Sequence, residues 1–162
     1  MNMATGEIFG FTDLKVGQRV KIKGKIDDTG IFTAFEISVK NHKENPSIVG
    51  LIKEIDYKNR TMNVLNHSLK ISENIEVVDT IHSDLEFNHL KKDTMVKIRV
   101  NYTPPNHLEP VLIKIRETFG FNIDKLKGEI DAIDTENKCL RVLGFEIRLN
   151  PKTVVELPDL IS

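Results

Sequence analysis

Gly50-Leu51-Ile52-Lys53-Glu54-Ile55-Asp56 and Gly128-Glu129-Ile130-Asp131-Ala132-Ile133-Asp134 are two versions of one pattern in this 162-residue chain. The offset of 78 also aligns Asn59 with Asn137, Met62 with Leu140, Val64-Leu65 with Val142-Leu143, Ile71 with Leu149 and Val77 with Val155. No gap interrupts it. Repeats on this scale mark one supersecondary unit used more than once.

A second segment recurs at an offset of 76. Leu14-Lys15 matches Leu90-Lys91, Val20-Lys21-Ile22-Lys23 matches Val96-Lys97-Ile98-Arg99, and Ile37 matches Ile113. Apolar Val20, Ile22 and Ile26 alternate with Arg19, Lys21, Lys23 and Lys25, the period of a strand with one buried face. Asp27-Asp28-Thr29-Gly30, Asp56-Tyr57-Lys58-Asn59, Pro104-Pro105-Asn106 and Asp134-Thr135-Glu136-Asn137 supply the turns between strands. Ser83 through Leu90 reads as one or two helical turns, with Ser83 as N-cap and Glu86 completing a capping box.

With the segment repeated at 78 taken as the first half of a unit and the one repeated at 76 as its second half, the order along the chain is second, first, second, first. Residues 47–116 therefore hold one complete unit, and 12–39 plus 126–156 hold complementary halves of another. A half-unit leaves open strand edges, so the two ends of the chain are expected to pair with each other, the alternative being halves from a neighbouring chain or from missing sequence. The expected fold is all-β: two small, OB-like, five-stranded barrels from an internal duplication, the second completed by the N- and C-terminal halves. An SH3-like barrel is the alternative architecture. The core is expected to contain Val20, Ile22, Ile37, Ile52, Ile55, Met62, Val64, Ile71, Val96, Ile98, Ile113, Ile130, Ile133, Leu140, Val142 and Leu149.

Twenty-three basic and 24 acidic side chains leave a net charge of −1, against the basic surplus of a dedicated nucleic-acid binder. Forty per cent of residues are hydrophobic and 29% charged, ordinary values for a folded soluble chain. No run approaches the roughly 20 apolar residues that span a bilayer, so membrane insertion is not expected. Residues Met1 to Glu7 lack the basic flank and apolar run of a signal peptide. The chain as written is expected to be cytoplasmic, or periplasmic or secreted if a leader has been removed. Cys139 is the single cysteine, which excludes an internal disulfide.

Gly50, Ile52, Ile55, Asp56, Val64 and Leu65, with Leu14, Gly17, Val20, Ile22, Gly24 and Ile37, resemble the pattern of a bacterial family of tandem OB-like domains of unknown function. Members of that family often occur in envelope or secreted proteins. The resemblance implies an OB-like fold and carries over no catalytic residue. Gly17 and Gly24 become Asp93 and Val100 in the central copy, a departure from the pattern.

The candidate binding residues are Lys21, Lys23, Lys25, Lys97 and Arg99. On an OB-like sheet such a basic face can track a phosphate backbone while aromatic rings stack on bases, each worth about 1–3 kcal/mol. The rings available are Phe9, Phe11, Phe32, Phe35, Tyr57 and Tyr102. Phe35 and Tyr102 align with Val111 and Ile26, which predicts core positions for both. The bland alternative is a solvated face whose lysines discourage edge pairing.

His42, His67, His82, His89 and His107 lack zinc-ligand spacing, so no metal site is expected. Asp56 and Asp134 recur at one turn and read as turn formers rather than an acid–base pair. No catalytic residue and no cofactor are expected, and the chain is not expected to be an enzyme. The leading expectation is a binding module that meets a protein partner through barrel loops or strand edges. The alternatives are single-stranded nucleic-acid binding on the lysine faces and small-ligand or glycan binding.

Overall fold

Alternation of small apolar and long polar side chains builds almost every element of this chain, and the turn residues mark where each strand stops. The computed structural model describes residues 11–40, 45–81, 83–104, 107–116 and 123–157. Its strands are β1 (Arg19–Ile26), β2 (Ile31–Lys40), β3 (Ser47–Asp56), β4 (Thr61–Val64), β5 (His67–Lys70), β6 (Glu76–Val78), β7 (Asp84–Leu85), β8 (Met95–Thr103), β9 (His107–Ile115), β10 (Asp124–Asp134), β11 (Cys139–Val142), β12 (Phe145–Arg148) and β13 (Val154–Glu156). Phe11–Asp13 and Phe87–His89 form short 3-10 turns. The fold is all-β.

The two ends of the chain do pair with each other. β1 and β2, β1 and β10, β10 and β11, and β11 and β12 are antiparallel ladders, and a parallel ladder between β12 and β2 closes the ring. The result is a closed five-stranded barrel, with β13 added in parallel to β2. In the central segment β3 pairs with β4 and β8, β4 with β5, and β8 with β9. There β6 joins β9 in parallel and takes β7 on its other side. Among the described residues β5 forms no ladder with β9.

The registers of the two strand sets coincide. Val20 pairs with Gly128, as Val96 pairs with Gly50. Ile22 pairs with Ile37, as Ile98 pairs with Ile113. Bulges fall after Lys23 and after Arg99, and again after Ile130 and after Ile52. The hairpin residues Leu65-Asn66 and Leu143-Gly144 all have positive φ, the geometry of two-residue turns that match strand twist. Both leucines are buried, and a Cβ on Gly50 or Gly128 would stand 2.7 or 2.9 Å from their Cδ2 atoms. Phe87 lies under the Arg60 guanidinium at 4.8 Å, and Phe11 under the Lys138 ammonium at 5.0 Å.

Among the described residues one ladder joins the two strand sets. β10 and β3 pair antiparallel, with Lys125 opposite Val49, Leu126 opposite Ile48 and Lys127 opposite Ser47. A single row of apolar side chains thus crosses six strands: Ile37, Ile22, Leu126, Ile48, Ile98 and Ile113. Each is wholly buried, and each such side chain contributes roughly 1.5–3 kcal/mol by leaving water. Asn66 Nδ2 also donates to the Asp27 carbonyl at 2.8 Å, and the Tyr102 hydroxyl donates to Asp131.

Most of the expected core is buried as read. Ile55 and Ile133, at the ends of β3 and β10, are only partly buried against it. The expected helix is shorter and later than Ser83 implies. Asp84-Leu85 is extended, the 3-10 turn starts at Phe87, and the Glu86 N–H donates to His89 Nδ1 at 2.9 Å. Ser83 instead donates its N–H to Asp79 Oδ1 at 2.9 Å. Asp93 adopts a φ of 68° where Gly17 has 93°, a conformation that Asp tolerates better than most residues.

Candidate basic interface

Because side chains alternate across a strand, the rows flanking the apolar row all point outward. Lys23 faces Lys125, Lys21 faces Lys127 and Lys97 faces Lys114, each directly opposite across its ladder. Arg99 stands opposite Ser47 in the next strand, and Arg116, just beyond β9, lines the same surface. Like charges directly opposed in a sheet are destabilising. Here three such pairs lie on one continuous face.

The face is concave where the two strand sets meet. A groove of about 690 Å³ is lined by Asn45, Ser47, Lys97, Arg99, Leu112, Lys114 and Lys127. A smaller one of about 120 Å³ adjoins it, with Lys21, Lys125 and Arg116 in its wall. Partial burial, followed by the charge of neighbouring Lys125, Lys23, Lys127 and Lys40, holds the Lys21 ammonium below its ordinary range. Lys97 is lowered by burial and then by Lys127, Arg116, Lys114 and Lys21, and Lys125 by burial and then by Lys23, Arg116 and Lys127. From β1 to β9 the cations cross about 19 Å, four inter-strand steps of roughly 4.8 Å.

Of the candidate residues read from sequence, Lys21, Lys23, Lys97 and Arg99 come together on this face. Lys25 does not. It sits near the end of β1, beside Asp124 in a separate small cavity. Lys114, Arg116, Lys125, Lys127 and Ser47 complete the face without having been singled out. Their alternation with Ile113, Ile115, Leu126 and Ile48 was the available signal, but it does not say which cations become neighbours.

The aromatic residues divide sharply. Phe11 and Phe32 are buried, and Phe9 lies outside the described residues. The exposed Tyr57 ring is pinned in the turn just beyond β3, edge-on to Phe87, with its hydroxyl donating to the Leu90 carbonyl. Phe35 corrects the alignment-based expectation of a core position: it is 49% exposed. It is the extra residue of the bulge opposite Lys23 and Gly24, and the bulge turns its ring out to solvent instead of inward.

A second groove, of about 470 Å³, lies on the outer face of β10, β11 and β12. Its Arg141 and Arg148 are matched by Asp134 and Glu146, and Arg148 pairs with Glu146 at 3.0 Å. Cys139 lies there half-buried, its thiol raised by burial and then by Glu146. Among the described residues no group of His, Cys, Asp or Glu is arranged to hold a metal, and no helix is long and apolar enough to cross a membrane. His67 packs against Phe145, while His42 and His82 lie outside the described residues.

A family model described as a domain of unknown function (DUF5666) matches residues 4–38. The matched segment contains the first 3-10 turn, β1 and most of β2, and so includes Lys21, Lys23 and Phe35. No curated protein and no solved structure matches the chain.

Proposed function

We propose that this protein is a non-enzymatic binding module that holds single-stranded nucleic acid across the basic face. The observation that carries the reading is the set of three directly opposed lysine pairs on one continuous surface, Lys21–Lys127, Lys23–Lys125 and Lys97–Lys114. A chain with net charge −1 gathers cations in this way against their mutual repulsion, and a polyanion relieves it. Phosphates run across the strands, and Phe35 offers one ring for base stacking at the end of the track. One ring makes the contact mostly electrostatic and tolerant of sequence.

The same reading takes the two strand sets as copies of one OB-like unit, occupying 47–116 and 12–39 plus 126–156. The matching registers and bulges support it, as does the meeting of Leu126 with Ile48, residues 78 apart, at the joining ladder. On this reading equivalent strands lie side by side around a local two-fold, and both copies contribute to one face.

Fluorescence anisotropy with labelled single-stranded DNA and RNA tests the proposal. With about four phosphates contacted, affinity falls about fifty-fold between 50 and 200 mM salt. Flat titrations at both salts would end it. A protein partner is the second reading, favoured by the exposed Val154 and Leu157 at β13, which pairs with β2 alone among the described strands. A small apolar ligand or glycan is less favoured, because neither larger groove has an aromatic side chain in its wall.

A further inference from the structure

Ser47 is only 3% exposed, yet it belongs to the outward rows of the sheet rather than to the core. Its cross-strand neighbours are Lys127 on one side and Arg99 on the other. The residue 78 positions later is Lys125, so a lysine stands in one strand set where a serine stands in the other. The shorter side chain leaves a notch in the basic face, and the 690 Å³ groove opens over it. Among the described residues no group hydrogen-bonds to the Ser47 hydroxyl. A buried hydroxyl is costly to leave without a partner, and Ser47 lines a cavity walled also by Lys97, Arg99 and Lys114.

We propose that Ser47 marks a discrete phosphoryl pocket within the basic face. One phosphate group enters the notch, accepts a hydrogen bond from the Ser47 hydroxyl, and is bound by the Arg99 guanidinium, with Lys97 and Lys114 supplying charge from the next row. Arg suits this role because its planar fork meets two phosphate oxygens at once. The occupant is either a phosphate of the bound strand or a free phosphate. The pocket deepens the proposed function by fixing where along the track one backbone phosphate must sit, and it rests on that reading only for the source of the phosphate.

Inorganic phosphate is the first probe, titrated at constant ionic strength while backbone amide NMR shifts are followed. The native protein is expected to show saturable shifts centred on Ser47, Arg99 and Lys97. Ser47→Ala, which removes the donor and adds no bulk, weakens phosphate about tenfold. Ser47→Lys fills the notch with the side chain found at the equivalent position. It abolishes saturable binding of inorganic phosphate. Circular dichroism of each variant confirms that it is folded, and Ser47→Ala decides the matter if Ser47→Lys is not.

Equal phosphate affinity in native and Ser47→Ala protein would overturn the pocket, even with oligonucleotide binding intact. Saturable, Ser47-dependent phosphate binding without any oligonucleotide binding would keep the pocket as a free-phosphate site and retire the nucleic-acid reading. A register effect, in which Ser47→Ala weakens a phosphate-bearing oligonucleotide but not one lacking the phosphate at a single position, assigns the occupant to the strand.

Discussion

Lys23 and Lys125 stand directly opposite each other across the ladder between β1 and β10, and after burial itself Lys23 is the cation that most depresses the Lys125 ammonium. Lys23 also reaches Glu36 at 3.4 Å, which offsets part of the repulsion. Replacing Lys125 by glutamate converts the opposed pair into an attractive one. Lys125→Glu is therefore expected to stabilise the fold by about 0.2–1 kcal/mol and to weaken oligonucleotide binding. Urea melts and anisotropy on the same preparation check it. Unchanged oligonucleotide affinity would show that the face does not track phosphate.

The lowered lysines set a pH dependence with a definite sign. Lys21, Lys97 and Lys125 have folded values below their ordinary 10.5, so in that interval the unfolded chain binds more protons. Stability must then rise with pH. The electrostatic penalty is present in full below the folded values and is relieved as pH climbs through them toward 10.5. Urea midpoints measured from pH 7 to 10 should rise more steeply for the native protein than for Lys97→Met. Parallel curves would contradict the crowding of charge.

Gly24 closes against β2 so tightly that a Cβ there would lie 2.1 Å from the Thr33 carbonyl oxygen and 2.7 Å from the Phe32 ring. Backbone oxygen cannot swing away as a side chain can. Gly24→Ala is expected to cost about 1–3 kcal/mol or more, readable as a lowered melting temperature. Val100 occupies the equivalent place, opposite Pro110, and is wholly buried. Gly24→Val nevertheless fails where Val100 fits, because the obstacle is the local path of β2.

Asp56 and Asp134 hold their turns identically. Asp56 Oδ1 accepts the Asn59 N–H at 3.0 Å and its Oδ2 accepts the Asn59 side-chain amide at 2.8 Å. Asp134 makes the same bonds with Asn137 at 3.1 and 2.8 Å. These bonds hold both carboxyls below the ordinary 3.8, for Asp56 chiefly through the Asn59 backbone and for Asp134 chiefly through the Asn137 side chain. Their stabilisation is complete above 3.8 and is lost as pH falls through the depressed values. Asp56→Ala and Asp134→Ala should each melt earlier than the native protein at pH 7, with the difference shrinking at pH 3. A constant difference across that range would assign the effect to something other than the carboxylate.

How much of this could be read in advance differs from residue to residue. The repeat offsets carried by Gly50, Ile52, Val96 and Ile98 predict strands that pair in the same registers, because matched spacing of apolar residues gives matched pairing whatever the surface residues are. Lys21 and Lys23 were readable as outward-facing for the same reason. Phe35 departs from the alternation, since an insertion of one residue into a ladder shifts the facing of a side chain without leaving a mark in the local sequence. Ser47 carried no signal at all, because serine before an apolar run also reads as an ordinary strand start.

Away from the bulges, the sequence by itself determined which side chains face inward and which outward, for the period of two along a strand is a local property of the backbone. Only the tertiary structure decided which outward residues meet. Lys97 and Lys114 are joined by a hairpin, but Lys21 reaches Lys127, and Ser47 reaches Lys127 and Arg99, through ladders that close over long stretches of chain. Charge density on a face depends on strand order and register, which are set by how the apolar rows of distant segments pack together and not by the order of residues along any one strand.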